Sequence, residues 1–242
     1  LLHLPDFDAL IDYQHRKIIG KCVVCHATGW IHEDIDDFHT KQLPCECRKR
    51  ASYKMGLVAG NIPPEFWKVE DLEWTYNLDN LERVYAYCAD LPSARSEGRG
   101  FTMTGENGAG KTGMACVILS AALRAGYRAA YLTAHDYLTT IPATWRDTEL
   151  KEWLNELIQA DFLVLDEMGK EFRAAEASKL AEVDSLLRAR RGAMKPTIAV
   201  SNLSLKGFRE VYGSSIDSIL ADRNKRLLYE PGDFRKRKKG VS

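Results

Sequence analysis

Residues 105–112 read Gly-Glu-Asn-Gly-Ala-Gly-Lys-Thr, and no other stretch of this chain restricts its fold so tightly. The pattern G-x-x-x-x-G-K-[ST] works only between a strand and a helix. Gly105, Gly108 and Gly110 let the backbone close into a tight loop, and the amides of Glu106, Asn107 and Ala109 converge with theirs around phosphate oxygens. Lys111 is placed to reach the β- and γ-phosphates of a nucleoside triphosphate, and the Thr112 hydroxyl to ligate Mg²⁺. A helix starting here points its positive end at the same phosphates. The flanks agree: residues 99–104 are strand-like, and 114–123 form an apolar helical run ending near Gly126.

Such a site needs an acidic residue at the end of a buried strand. Residues 161–167, Asp-Phe-Leu-Val-Leu-Asp-Glu, supply it. The unbroken apolar run 162–165 predicts a strand covered on both faces of a parallel sheet. Asp166 would then hold Mg²⁺ and Glu167 would polarise an attacking water, a pair suited to hydrolysis. A further strand, 196–202, ends in Ser201-Asn202. Asn202 would lie on the ligand side of the sheet, although Ser-Asn is also ordinary turn chemistry. A strand at 128–133 and helices at 145–159, 174–191, 205–211 and 216–228 complete an alternation that predicts a parallel, doubly wound α/β sheet.

The chain has six cysteines. Cys22 and Cys25 form one close pair and Cys45 and Cys47 another, with nineteen residues between the pairs. Four thiolates so spaced suit one tetrahedral, closed, structural Zn²⁺ site, with His26, His32 and His39 near enough to replace one ligand. Cys88 and Cys116 fall in apolar helical contexts and read as core.

Acidic and basic residues balance at 34 each, so no global basic field indicates nucleic acid. Two local clusters do remain, Arg188, Arg190 and Arg191 with Lys195, and residues 235–239; each fits phosphate contacts or simply a solvated helix end and tail. No apolar run approaches the ~20 residues that span a bilayer, and no signal peptide is visible at residue 1, so the expected location is cytoplasmic. The expected divisions are a metal module at 1–55, a linker at 56–79 held to the next domain by Trp67 and Trp74, and an ATPase domain at 80–242.

Together, the loop at 105–112, Asp166-Glu167 and Ser201-Asn202 are spaced similarly to those of AAA+ ATPases. The run Ile-Pro-Pro-Glu-Phe-Trp at 62–67 and Leu-Ala-Asp-Arg-Asn-Lys-Arg-Leu at 220–227 resemble the DnaC/DnaI-type replicative helicase loaders and their IstB-type relatives, over about residues 60–235. The Cys-x-x-Cys-His-x-Thr-Gly-Trp run resembles the N-terminal module of some bacterial and phage loaders. This resemblance implies that Lys111 and Thr112 are Walker A, Asp166 and Glu167 Walker B, and Asn202 sensor 1. It also implies an arginine finger at Arg223, with Arg226 as the alternative, and a sensor 2 arginine at Arg235, where neighbouring Lys236 and Arg237 blur the pattern. Residues 133–157 match a helical insertion near single-stranded DNA, with Thr133, Tyr137 and Arg146 as candidate contacts, although Tyr137 equally suits a core. The implied partners are a replicative helicase hexamer, single-stranded DNA and further copies of the chain; the implied cofactors are ATP, Mg²⁺ and Zn²⁺. The implied activity is slow, assembly-stimulated ATP hydrolysis that times helicase release. An IstB-like transposition regulator is the first rival. A small-molecule kinase is a weaker one, because no arginine-rich lid is evident.

Overall fold

The computed structural model describes residues 15–36, 39–169 and 177–232. They fall into two compact units that divide between Ala59 and Gly60.

The first unit has a short π-helical turn (His15–Ile19), a hairpin of β1 (Trp30–Asp36) and β2 (His39–Pro44), and helix α1 (Glu46–Ala59). The stretch between the two cysteine pairs thus contains a hairpin. Its strands are exposed along almost their whole length, so they cannot supply a core. The unit's buried cluster is built on sulfur: Cys25, Cys45 and Cys47, with Ile18, Ile19 and Cys22 packed against them; Ala51 and Leu57 of α1 are buried as well. A unit this small with so little buried hydrocarbon needs a cross-link or metal to hold one conformation.

The second unit is built on five parallel strands: β3 (Gly100–Gly105), β4 (Ala129–Thr133), β5 (Phe162–Met168), β6 (Thr197–Ser201) and β7 (Asn224–Tyr229), in the order β4-β5-β6-β3-β7. Among the described residues seven α-helices accompany them: α2 (Leu78–Cys88), α3 (Leu91–Glu97), α4 (Lys111–Arg124), α5 (Ala134–Thr144), α6 (Thr148–Ile158), α7 (Ala177–Gly192) and α8 (Leu205–Arg223). The apolar run of β5 is divided between the faces. Leu163 and Leu165 join Trp153, Leu157, Leu187 and Phe208 in a cluster made with α5–α8. Phe162 turns the other way, to Tyr87 and Tyr127. Burial on both sides is the reason for the absence of polar alternation. Among the described residues, no helix is long and apolar enough to cross a membrane.

The end of the 216–228 segment departs from the expected helix. The helix stops at Arg223, and Asn224–Tyr229 becomes the edge strand β7. Asn224 decides this: its side-chain amide donates to Phe101 O (3.0 Å) and Thr197 O (3.0 Å), drawing the backbone into register with β3. Leu227 and Tyr229 are then buried while Lys225 and Leu228 are exposed. Gly213, at φ 73°, breaks α8 internally, in the gap expected between residues 211 and 216.

Arg188, Arg190, Arg191 and Lys195 are structural in this fold. Arg190 is 1% exposed. Its guanidinium donates to Thr197 Oγ1 (2.9 Å), Ile158 O (2.6 Å), Ala160 O (2.9 Å) and Pro196 O (2.6 Å). It thus ties the end of α6 to the starts of β5 and β6. Arg188 pairs with Asp184, Arg191 with Asp222, and Lys195 donates to Gln159. A helix carrying three arginines looks like a basic face until the sheet edge captures one of them. The basic run at 235–239 lies outside the described residues.

Candidate nucleotide site

The glycine loop links the C-terminal end of β3 to the start of α4. Gly105 lies so close to β7 that a Cβ there would stand 2.4 Å from Tyr229 O. Gly110, at φ 88°, makes the left-handed turn into α4. Lys111 is 4% exposed, and its Nζ donates to Gly105 O (2.8 Å) and Glu106 O (2.6 Å) at the loop's mouth.

Asp166 stands beside this loop at the end of β5. It accepts from Thr112 Oγ1 (2.8 Å), from Tyr131 OH (2.8 Å) and from the Glu167 amide (2.6 Å). Burial raises its pKa, and the Glu167 carboxylate adds to that, against the three donors. Tyr131 was not evident from sequence; its place on β4, the strand beside β5, is the only signal. Burial first, then Asp166, pushes its pKa upward, so it remains a donor. The β5–β6 register slips between Leu165 and Met168, and Glu167 takes a left-handed φ of 57°. A bulge of this kind re-aims a side chain. Here it brings Glu167 onto the same cavity as Asp166.

That cavity, of about 130 Å³, is lined by residues 107–113, Asp166, Glu167 and Asn202, and by Phe66, Leu72 and Trp74. Ser201 fixes the segment bearing Asn202, donating to Met168 O (2.6 Å) and accepting from Leu203 N (3.2 Å). Trp74 packs so tightly that a Cβ on Gly113 would lie 2.9 Å from its ring. Gly113 is not demanded by the loop pattern, and its smallness was the available sequence signal for an aromatic wall. Trp67 behaves otherwise: half-exposed, it bonds back to Ile62 O (2.8 Å) within its own segment.

The hydroxyl and two carboxylates meeting here form an all-oxygen donor set, which fits a hard cation such as Mg²⁺. The converging loop amides, the start of α4 and Lys111 fit a triphosphate.

Arg223 lies elsewhere. It precedes Asn224, which pairs with Gly100, whereas Gly105 opens the loop at the other end of β3. Five residues of strand separate those levels, about 17 Å. Its guanidinium contacts Arg191 O and the Met194 sulfur, with Asp222 at 3.5 Å. Arg226 is held by Asp217 at 2.8 Å. Arg235 lies outside the described residues. Of the three candidate DNA contacts, Thr133 caps α5 through the Asp136 amide (2.9 Å), and Tyr137 is 6% exposed in the core. Arg146 is exposed, beside Trp145, which is 80% exposed.

In the first unit the four sulfurs of Cys22, Cys25, Cys45 and Cys47 lie within 4.8 Å of one another. The pairs Cys22–Cys45 and Cys25–Cys47 stand at 3.8 and 3.5 Å. A tetrahedron of Zn–S bonds of 2.3 Å has edges of about 3.8 Å, so the set fits zinc. The Gly29 amide donates to Cys25 Sγ at 3.2 Å. The Cys25 backbone amide leads in lowering the Cys22 thiol to about 6, and burial pushes Cys47 up to about 12. The cluster contains none of the three histidines; His39 binds Asp36 instead.

The strand order, the glycine loop at the end of β3 and Asp-Glu at the end of β5, with β6 between those two strands, define an AAA+ P-loop ATP-binding protein. The chain belongs to the family of IstB-like ATP binding proteins, whose sequence profile matches residues 39–228. Over 112 residues it is 31% identical to the ATP-binding protein of insertion sequence IS5376 from Geobacillus stearothermophilus, a match spanning 46% of this chain and 43% of that protein. Among solved structures it is similar to the DnaC helicase loader (TM-score 0.60, 19% identity, 69% of this chain and 100% of that one). DnaI is similar too (0.59, 14%, 70% and 95%), as is AMPPCP-bound DnaA from Aquifex aeolicus (0.56, 19%, 73% and 55%). At these identities the likeness is one of fold.

Proposed function

We propose that this chain is an ATPase switch, completed by a neighbouring copy, that loads a hexameric replicative helicase onto single-stranded DNA. One observation carries the nucleotide chemistry: Lys111, Thr112, Asp166, Glu167 and Asn202 line one cavity. Lys111 would neutralise the β- and γ-phosphates. Mg²⁺ bound by Thr112 and Asp166 would offset the charge that builds up on the phosphate oxygens. Glu167 would accept a hydrogen bond from a water that Asn202 orients. Attack on the γ-phosphorus breaks its bond to the ADP oxygen and yields ADP and phosphate.

Arg223 is too far from its own loop to touch the bound phosphates, which favours donation to the next copy. Trp145 and Arg146, at the turn between α5 and α6, offer a stacking face and a charge for single-stranded DNA. The cysteine unit, holding Zn²⁺, would engage the helicase. Co-purification with a replicative helicase, with and without ATP, tests the loader reading. Arg223→Ala should bind ATP normally and lose assembly-stimulated turnover. The second reading is an IstB-like regulator of transposition, favoured by the IS5376 relative. Retention of the cognate transposase and not the helicase would select it.

A further inference from the structure

A cavity larger than the one at the glycine loop lies elsewhere in the second unit. A pocket of about 360 Å³ lies between α2 and the first half of β7. Arg83, Arg99, Lys225 and Arg226 line it against a single carboxylate, Asp90. Its floor is apolar, made by the buried Tyr87 and Phe101. Arg99 is paired with Asp90 and Glu97, and Arg226 with Asp217. Arg83 and Lys225 are exposed and have no ion-pair partner among the described residues. The pocket therefore presents two uncommitted cations above a greasy floor.

The complementary surface is on the same chain. Between residues 64 and 79 there are five carboxylates and one cation, Lys68. Glu70 is bound to Arg124. Glu65, Asp71 and Glu73 are exposed and have no ion-pair partner among the described residues. They are the chain neighbours of Phe66, Leu72 and Trp74, which wall the nucleotide cavity. Trp67, 36% exposed on the same strap, offers an apolar group. A chain with zero net charge thus carries unmatched acid at the rim of its nucleotide cavity and unmatched base beside Arg223, two residues before Lys225.

We propose that the basic pocket between α2 and β7 receives the acidic strap, residues 65–73, of a second copy of this chain. The contact is head to tail, so acid and base ends remain for further copies. It rests on the reading that Arg223 acts on a neighbour's nucleotide, because it brings the Arg223 edge of one copy to the nucleotide rim of the next. Its attraction is electrostatic, so assembly should weaken with salt.

Charge reversal tests it on the full chain. One variant carries Arg83→Glu and Lys225→Glu; the other carries Glu65→Lys, Asp71→Lys and Glu73→Lys. Sedimentation with a non-hydrolysable ATP analogue should show each variant alone assembling about tenfold more weakly than wild type or worse. An equimolar mixture should regain assembly, because each variant's strap then meets an opposite pocket. All substitutions are at exposed positions, and circular dichroism checks that both variants fold. Unaffected assembly in either variant, or no rescue in the mixture, overturns the proposal. So does a pocket variant that assembles normally but loses affinity for labelled oligo-dT, which would assign the cations to nucleic acid. If wild type itself fails to assemble, this contact and the trans reading of Arg223 fall together. If Arg223→Ala assembles and keeps full turnover while reversal and rescue behave as expected, only the finger falls.

Discussion

Replacing Arg190 with alanine should cost the second unit far more than its position in an arginine-rich helix suggests. The substitution removes donors from four acceptors at once: Thr197 Oγ1 and the carbonyls of Ile158, Ala160 and Pro196. A buried acceptor left without a donor costs about 1–3 kcal/mol. Relief from burying a charge offsets part of that sum. Four neutral acceptors left without a donor, less that relief, give an expected loss of about 3–5 kcal/mol. A domain of this kind is stable by about 5–15 kcal/mol, so the variant should still fold at low temperature. Urea denaturation followed by circular dichroism would read the loss as a midpoint lowered by about 1–2 M, at a slope of about 2–3 kcal/mol per M. Nucleotide affinity should fall as well, because Arg190 pins the starts of β5 and β6, whose other ends carry Asp166 and lead to Asn202. Arg188→Ala is the control; its partners Asp184 and Ser215 are near solvent, and it should cost under about 1 kcal/mol. Equal losses for Arg188→Ala and Arg190→Ala, or less than about 1 kcal/mol for Arg190→Ala, would refute the reasoning.

Lys111→Ala should abolish nucleotide-dependent behaviour, whereas Glu167→Gln should still bind ATP and hydrolyse it about 10²–10⁴-fold more slowly; calorimetry and phosphate release separate the two. Asp166 has its carboxyl raised by burial, so the folded chain holds more protons than the unfolded one between the ordinary and the raised value. Its contribution to stability therefore falls as pH rises through that window. Asp166→Asn should melt higher than wild type at neutral pH, lose that advantage in acid, and gain nothing from Mg-ATP. A lower melting point at pH 7 would count against this account. Chelation should release one zinc per chain and make the first unit protease-sensitive while the second still melts cooperatively; retained protection after metal loss would show that the cysteines do not need the metal.

The glycine loop, the Asp-Glu pair and Asn202 were legible because each is a local pattern tied to the end of an apolar run. The parallel sheet followed from the same alternation. Away from those motifs, local pattern did not decide where several charged or amphipathic residues point. Asn224 looked like a helix interior and ends the helix, since its amide finds carbonyls on β3 and β6 that lie far off in sequence. Tyr137, which suited either a ligand contact or the core, is core, and the Thr133 hydroxyl caps a helix.

The sequence alone therefore determined that the chain carries a P-loop, an Asp-Glu pair at the end of a buried strand and a cysteine quartet, because spacing along a strand or loop fixes those geometries locally. Only the tertiary structure decided that Tyr131 and Trp74 join the site, that Glu167 is turned onto it by a bulge, and that Arg190 is internal. The physical reason is common to all: burial and hydrogen-bond partners are set by which strand lies beside which, and adjacency in a β4-β5-β6-β3-β7 sheet is written between distant residues, not along neighbouring ones.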